Sequence, residues 1–383
     1  MLEISPLLLA EWQFFGSLGF LSIFVSVLLT SGWMLLFLKL AWRRTGQEAW
    51  IGVYRYWVRV FALAMMVSMA VIVSLMIQVG TLWPALLMKI AGVAGPLACL
   101  AVLLAFACKL IFLNGMLYRQ GKMKEGWHTA SVFMSALSVT AIVYLVLALQ
   151  SWMNAPQGTI KTESNIVVYD WMAIVFHHEI VWRLLLVFAG SSLSMGFMMM
   201  GVSAWQARQR PLSRAENLSF RIGLVMALYG FVVFIVPGFF AQDTLFVAFS
   251  TDGWRSVWWG VILLLGMMMS VLAVSCYYLL GKKREIGKTP VFLQKWCSGM
   301  TFSGWLLVLL MTLLSYVRNL PFIVQGEIAL QEVFRPIGTQ ALVLSSVMYL
   351  VVYLVIVASF IQMFYQAARY GVVPVRKTVG AAA

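Results

Sequence analysis

Long apolar segments alternate with short polar ones from one end of the chain to the other. Nine of these segments hold about 20 mostly apolar residues each, the length that an α-helix needs to cross a hydrocarbon core of about 30 Å. Because no linker separates the segments, the pattern predicts an all-α polytopic membrane protein with one transmembrane domain over residues 1–383. The predicted spans are 14–38, 57–79, 91–115, 130–150, 182–205, 220–241, 257–280, 299–317 and 341–366.

Aromatic and small residues predict some of the local contacts of these spans. The long loop between the fourth and fifth spans is expected to contain an interfacial helix, with Trp171, Phe176 and Trp182 near the lipid headgroups. The small residues of "GSSLSMG" (190–196) and "SGMTFSG" (298–304) predict that neighbouring helix backbones approach closely there.

Charge gives the orientation of the predicted bundle. The chain is 62% hydrophobic and 10% charged, and of its 27 Lys and Arg residues we place 20 on one side of the spans and six on the other. By the positive-inside rule, the N-terminus lies outside and the C-terminus in the cytoplasm. The net charge of +14 then reflects topology and contact with membrane lipids, not nucleic-acid binding. We expect a multi-pass protein of a bacterial or archaeal cytoplasmic (inner) membrane.

The first apolar segment is expected to be retained as a span. The residues that precede it, "MLEISPLLLAEWQ", include Glu3 and Glu11 and no basic residue. A secretory signal peptide would begin with a positively charged region.

Polar chemistry is nearly absent from the predicted spans. All 13 Asp and Glu residues fall in loops or at span edges, and the three histidines precede spans. A membrane haem normally takes an imidazole from within the bilayer, and a proton path uses carboxylates or histidines there. The sequence therefore predicts no catalytic residue, no proton path and no metal site. His177 and His178 stay open as interfacial residues or as haem ligands, although adjacent side chains diverge by about 100° on a helix.

Lys109 is the one charged residue inside a predicted span. It lies about 9 Å from the predicted cytoplasmic end of span three, at 1.5 Å per residue. Its ammonium group either reaches the inner headgroups along the membrane surface of the helix or forms an intramembrane ion pair with a carboxylate or propionate of another subunit.

Five short motifs, in order along the chain, resemble subunit I of the cytochrome bd quinol oxidases. "EWQFFGSLGFLSIFVSVLLT" resembles that family's first helix, "GPLACLAVLLAFACK" its G-x-P-L-A-x-E segment, and "SWMNAPQGT" its G-W-M-Q-N-P-x-G loop. "GVSAW" resembles the end of its fifth helix and "VRNLPF" its G-R-Q-P-W motif. The resemblance covers nearly the whole chain and implies the same nine-helix fold.

The departures from that family fall at the positions that carry its chemistry. The resemblance places Leu21 and Leu186 at the histidine haem ligands, Ser256 or Val257 at the methionine ligand, Leu100 and Cys108 at the proton-path glutamates, Val308 near a further glutamate, and Phe239 at the aspartate before the quinol loop. That loop, with its essential Lys and Glu, is replaced by a short apolar passage. The resemblance thus implies that this chain binds no cofactor, and that haem b and haem d are carried only by a partner.

These implications lead to one preferred function and two alternatives. The chain is predicted to be a haem-free accessory or structural subunit of a bd-type respiratory quinol oxidase complex, in a hetero-oligomer with a haem-bearing subunit I-like chain or another bd-type subunit. The first alternative is a catalytic quinol:oxygen oxidoreductase subunit that binds haem through non-standard ligands such as His177 and His178. The second is a small-molecule transporter, for which Pro237 and Gly238 are the candidate helix break.

Overall fold

The computed structural model describes residues 5–118, 124–162, 165–240, 253–283, 285–317 and 320–370. Within these ranges, nine helices are long and apolar enough to cross a membrane, and each overlaps one predicted span. The all-α fold class and the number of spans are confirmed. The passage predicted to replace the quinol loop falls largely on residues 241–252, which lie outside the described part of the chain.

Most of the spanning helices begin before and end after the apolar segments that predicted them. Those of the first half are α1 Pro6–Thr45, α2 Glu48–Leu82, α3 Pro84–Ala107, α4 Asn114–Tyr118, α5 Glu125–Asn154, α6 Trp171–Val175 and α7 His178–Ala207. Those of the second half are α8 Arg214–Phe240, α9 Gly253–Lys283, α10 Val291–Gly299, α11 Ser303–Val317, α12 Leu330–Val333 and α13 Thr339–Tyr370. A π-helical segment, Cys108–Leu113, joins α3 to α4 without a break.

Local sequence sets the ends of the first helix. Ser5 caps α1 by accepting a hydrogen bond from the Leu8 backbone N–H, and Pro6 occupies the first helical position, where its missing N–H costs nothing. At the other end Gly46 has φ 66°, and its N–H donates to Trp42 O. Glycine is suited to this left-handed cap because it has no Cβ. Such polar ends explain why α1 runs beyond the predicted 14–38.

Two small hairpins and two short helices connect the spans at the predicted outer end. Strands β1 (Thr159–Lys161) and β2 (Ile166–Val168) pair antiparallel, as do β3 (Phe322–Val324) and β4 (Ile328–Ala329). The helix predicted in the long loop is α6, which Asp170 caps by accepting from Met172 N at 2.9 Å. Trp182 lies in α7 instead, because α7 begins at His178.

Glycine and serine let α7 approach its neighbours, as the small-residue motifs predicted. A Cβ at Gly196 would lie 2.7 Å from Gly223 O of α8, and one at Gly304 of α11 would overlap the Ser194 backbone of α7. Helices in lipid gain no hydrophobic stabilisation from association, so these close van der Waals contacts hold the bundle together.

Replacing Gly304 with alanine should therefore destabilise the protein. The added methyl group has no space against Ser194, and overpacking of this kind costs about 1–3 kcal/mol. We expect a lower thermal unfolding temperature in detergent. Gly266→Ala in α9 is the matched control, because nothing lies within 4 Å of its Cβ position. Equal stability of the two variants would contradict the assigned packing.

Candidate functional site

Aromatic rings pack against one another in the interior beside α1. We call Phe24, Phe302, Trp305, Phe360 and Phe364 the aromatic cluster; they come from α1, α11, α13 and the turn before α11. The ring centroids of Phe24, Trp305 and Phe360 lie 5.3–5.4 Å from one another, and Phe302 lies 4.8 Å from Trp305. These are ordinary contact distances for tilted and edge-to-face rings, so the cluster is a packed core.

The two leucines at the expected histidine positions lie in apolar surroundings. Leu21 packs on the hydrophobic core that contains the aromatic cluster, and Leu186 packs on a second core built around Leu193 and Phe197. Neither side chain has a nitrogen, oxygen or sulfur atom that could coordinate iron. The residues present at these two positions therefore do not fit haem ligation.

The expected methionine position is no better suited to a ligand. Val257 is 65% exposed on α9 and is purely aliphatic. Ser256 belongs to α9, but its side chain lies outside the described part of the structure.

The two expected glutamate positions face opposite ways on α3 and its π-helical extension. Leu100 is 48% exposed on the outer surface of the bundle, whereas Cys108 is fully buried and its Sγ lies 3.9 Å from Ser135 O of α5. Neither group exchanges protons readily in this setting, because leucine has no titratable group and a thiol among apolar neighbours stays protonated.

The histidine pair lies at the start of α7, at the predicted outer end. His177 is buried and caps the helix, its Nδ1 accepting from Glu179 N at 3.4 Å, while His178 is exposed. The ring centroids are 4.6 Å apart, and Arg183 Nη2 lies 2.7 Å from Glu179 Oε2. One ring nitrogen of His177 is thus used as a helix cap, which supports the interpretation of this pair as interfacial residues.

A buried ion pair lies at the opposite, predicted cytoplasmic end. Lys39 of α1 is fully buried, and its Nζ lies 2.6 Å from Glu125 Oε2 at the start of α5 and 4.4 Å from the centroid of the Trp42 ring. His128 is buried nearby, 6.0 Å from the Tyr54 ring. The sequence placed Lys39 and His128 on the cytoplasmic side and did not predict their burial. A single polar residue in a sequence carries no sign that other helices will enclose it.

A polar network between α1, α2 and α13 was also missed. Gln78 donates to Ser17 Oγ at 2.9 Å, and Ser74 Oγ lies 2.8 Å from Tyr353 OH. Towards the predicted outer end, Gln13 Oε1 accepts from Ser345 and Ser346 at 2.8 and 2.9 Å. The spacings of Gln13 with Ser17 and of Ser74 with Gln78 are both four residues, which places each pair on one helix face and could have signalled the network.

Replacing Gln78 with leucine should weaken the attachment of α13. The substitution removes the donor to Ser17 and the neighbour of Tyr353, and hydrogen bonds between membrane helices contribute about 0.6–1.7 kcal/mol. We expect a lower unfolding temperature and faster proteolysis at α13. Thr81→Val is the control on the same helix, because Thr81 bonds only to carbonyls of its own helix. A stable Gln78→Leu protein would show that the network is not needed.

Lys109 lies within the π-helical segment and is half-buried at the edge of the outer face of α3. It forms no ion pair with any residue that the structure describes. Across the same described ranges, no three His, Cys, Asp or Glu side chains converge to hold a metal ion.

The fold and this interior define a class of protein: a polytopic helical membrane protein whose bundle closes around α1 by aromatic packing. A family model described as cytochrome bd terminal oxidase subunit I matches residues 9–248, more than half of the 383-residue chain. The chain belongs to the cytochrome bd terminal oxidase subunit I family. The resemblance stated from the motifs is confirmed.

Comparison with solved structures agrees on the fold. The chain is similar to the bd oxidase from Geobacillus thermodenitrificans, with a TM-score of 0.80 and 16% sequence identity over 97% of this chain and 100% of that chain. At this identity the likeness concerns the fold. Among curated protein sequences, none matches the chain.

Proposed function

We propose that this chain is a haem-free accessory or structural subunit of a cytochrome bd-type quinol oxidase complex. It would lie in a bacterial or archaeal cytoplasmic membrane, with its N-terminus outside and its C-terminus in the cytoplasm. Haem b and haem d, and with them the reaction of quinol with oxygen, would belong to a partner subunit. The family membership of the chain supports the complex, and its own interior supports the accessory role.

The observation that carries this proposal is the packing around Leu21. In place of a ligand, α1 presents a leucine to the core that contains the aromatic cluster, where Phe24, Phe360 and Phe364 are almost completely buried. A haem beside α1 would have to displace several of these rings. Protein cores are packed as densely as organic crystals, so no small adjustment makes that room.

The residues at the expected proton-path positions do not support a catalytic role for this chain either. Reduction of oxygen to water consumes protons, which must reach a buried site through groups that release and accept them. The two expected glutamate positions offer Leu100 and Cys108, of which one faces outwards and the other is a buried thiol. The residues at these two positions support the assignment of catalysis to a partner subunit and of a structural role to this chain.

The haem content of the purified complex tests this proposal. The complex is isolated through a tag on this chain, its subunits are identified by mass spectrometry, and haem is counted by the pyridine haemochrome spectrum. We expect haem only in proportion to a partner, and no stoichiometric Soret band from this chain when it is expressed alone and shown by circular dichroism to be helical. A chain that binds its own haem, or that runs with no bd-type partner, would overturn the proposal.

A double substitution tests the alternative function, in which this chain is a catalytic subunit that binds haem. If His177 and His178 were haem ligands, the double substitution His177→Ala with His178→Ala would remove haem from the complex. We expect the haem-to-complex ratio to stay unchanged, because His177 already caps α7 and His178 is exposed. A modest loss of stability from the missing cap, about 0.5–2 kcal/mol, is the expected effect instead.

A further inference from the structure

The outer face of α3 and of its π-helical extension is mostly apolar but carries one charged residue, Lys109. The opposite face, with Leu86, Ile90, Val93 and Leu97, packs into the protein core. The outer face begins with small residues at four-residue spacing, Ala91, Gly95 and Cys99, all of them exposed.

This face continues towards the predicted cytoplasmic end with larger apolar side chains and then with Lys109. Leu103, Phe106 and Leu110 are each half or more exposed, and nothing lies within 4 Å of a Cβ at Gly95. Lys109 lies beside Phe106, three residues further along. The described part of the chain therefore leaves open a shallow groove and a cation on one helix surface.

Lys109 lies well inside a continuous helix. The helix does not end near residue 115 but continues through the π-helical segment to Tyr118, nine residues and about 13 Å beyond Lys109. The contact of Cys108 with Ser135 gives the same depth, because Ser135 lies ten residues and about 15 Å along α5 from Glu125. Glu125 is partly exposed and pairs with Lys39 at that end of the bundle.

A lysine side chain reaches about 6 Å from its Cα, which is less than half of the distance from Lys109 to the end of the helix. The acyl chains of lipids are a suitable apolar environment for Leu103 and Leu110, but they offer no hydrogen-bond acceptor or counter-charge to the ammonium group of Lys109. Charged residues within membrane helices are rare and normally pair with one another or line a functional site. The π-helical turn that carries Lys109 is itself of a rare kind that is frequent at functional sites.

We propose that this face of α3 docks a transmembrane helix of a partner subunit, and that an Asp or Glu of that helix pairs with Lys109. The small residues Ala91, Gly95 and Cys99 would let the two backbones approach, as small residues do between membrane helices. The acid of the pair would come from the partner, because none of the described residues of this chain supplies it. This inference rests on the proposed function only in requiring that the chain has a partner subunit.

Charge reversal in the native complex tests the pairing. Through a tag on this chain, Lys109→Glu should recover at least about tenfold less partner than the unchanged protein, whereas Lys109→Arg should recover it normally. Lys109→Met should also lower the recovery of the partner. Methionine is apolar and is tolerated in a membrane helix, so the chain should stay inserted. Lys295→Glu is the control for charge reversal elsewhere, because Lys295 is exposed on α10 and forms no ion pair with any described residue.

A photoreactive amino acid identifies the partner residue. Placed at Leu103, it should crosslink to a membrane helix of the partner that contains an acidic residue, whereas placed at Val274 on the exposed face of α9 it should not. Replacing that acidic residue with lysine should restore recovery of the partner to the Lys109→Glu chain. Full recovery with Lys109→Glu, or crosslinking to lipid alone from Leu103, would overturn this inference.

These outcomes are separate from the haem test. A haem-free chain that keeps its partner when Lys109 is reversed refutes the docking proposal and leaves the accessory role intact. A chain that carries haem but loses its partner through Lys109→Glu refutes the accessory role and leaves the docking proposal intact. An unchanged chain that recovers no partner overturns both.

Discussion

Close packing around α1 is the constraint on which the rest of the structure depends. The helix contacts α2, α5, α7, α11 and α13, so any space left beside it would lie in the centre of the bundle. Lipid gives membrane helices no hydrophobic reason to associate, and complementary shape has to hold them together. Gly19 lets Leu309 pack closely against α1, and Gly32 does the same for Ala136. Phe20 and Phe24 fill wider gaps in the core.

The same requirement decides what this interior can hold. Aromatic rings from α1, α11 and α13 belong to the core on which Leu21 packs, and they contact one another. Leu21 supplies no ligand atom for a haem, and the aromatic cluster fills part of the core on which Leu21 packs.

The number and approximate positions of the spans were predictable, because a run of apolar residues as long as a bilayer is a strong signal. The family was predictable from short motifs in the right order, although 16% identity to the bd oxidase structure leaves few residues in common. The expected ligand positions could be examined because they depend on local register.

Contacts between distant segments were not predictable from one sequence. The pairing of Lys39 with Glu125 joins residues that are far apart in the chain, and so does the bond of Gln13 with Ser345. The predicted third span, 91–115, also ends three residues before the continuous helix does at Tyr118. The helix continues through a π-helical segment, and the spacing of apolar residues does not predict such a segment.

Two lysines on the predicted cytoplasmic side illustrate how the chain treats charge in its membrane part. Lys39 is enclosed by the protein, and the protein supplies both a carboxylate and an aromatic face for it. Burying an ammonium group without such partners would cost far more than the fold could tolerate. Lys109 is not enclosed, and within the described residues nothing complements it. If the bilayer were its final environment, a neutral residue would serve α3 better. The proposed docking would supply that complement, because an acidic residue of a partner helix would pair with Lys109 when the complex assembles.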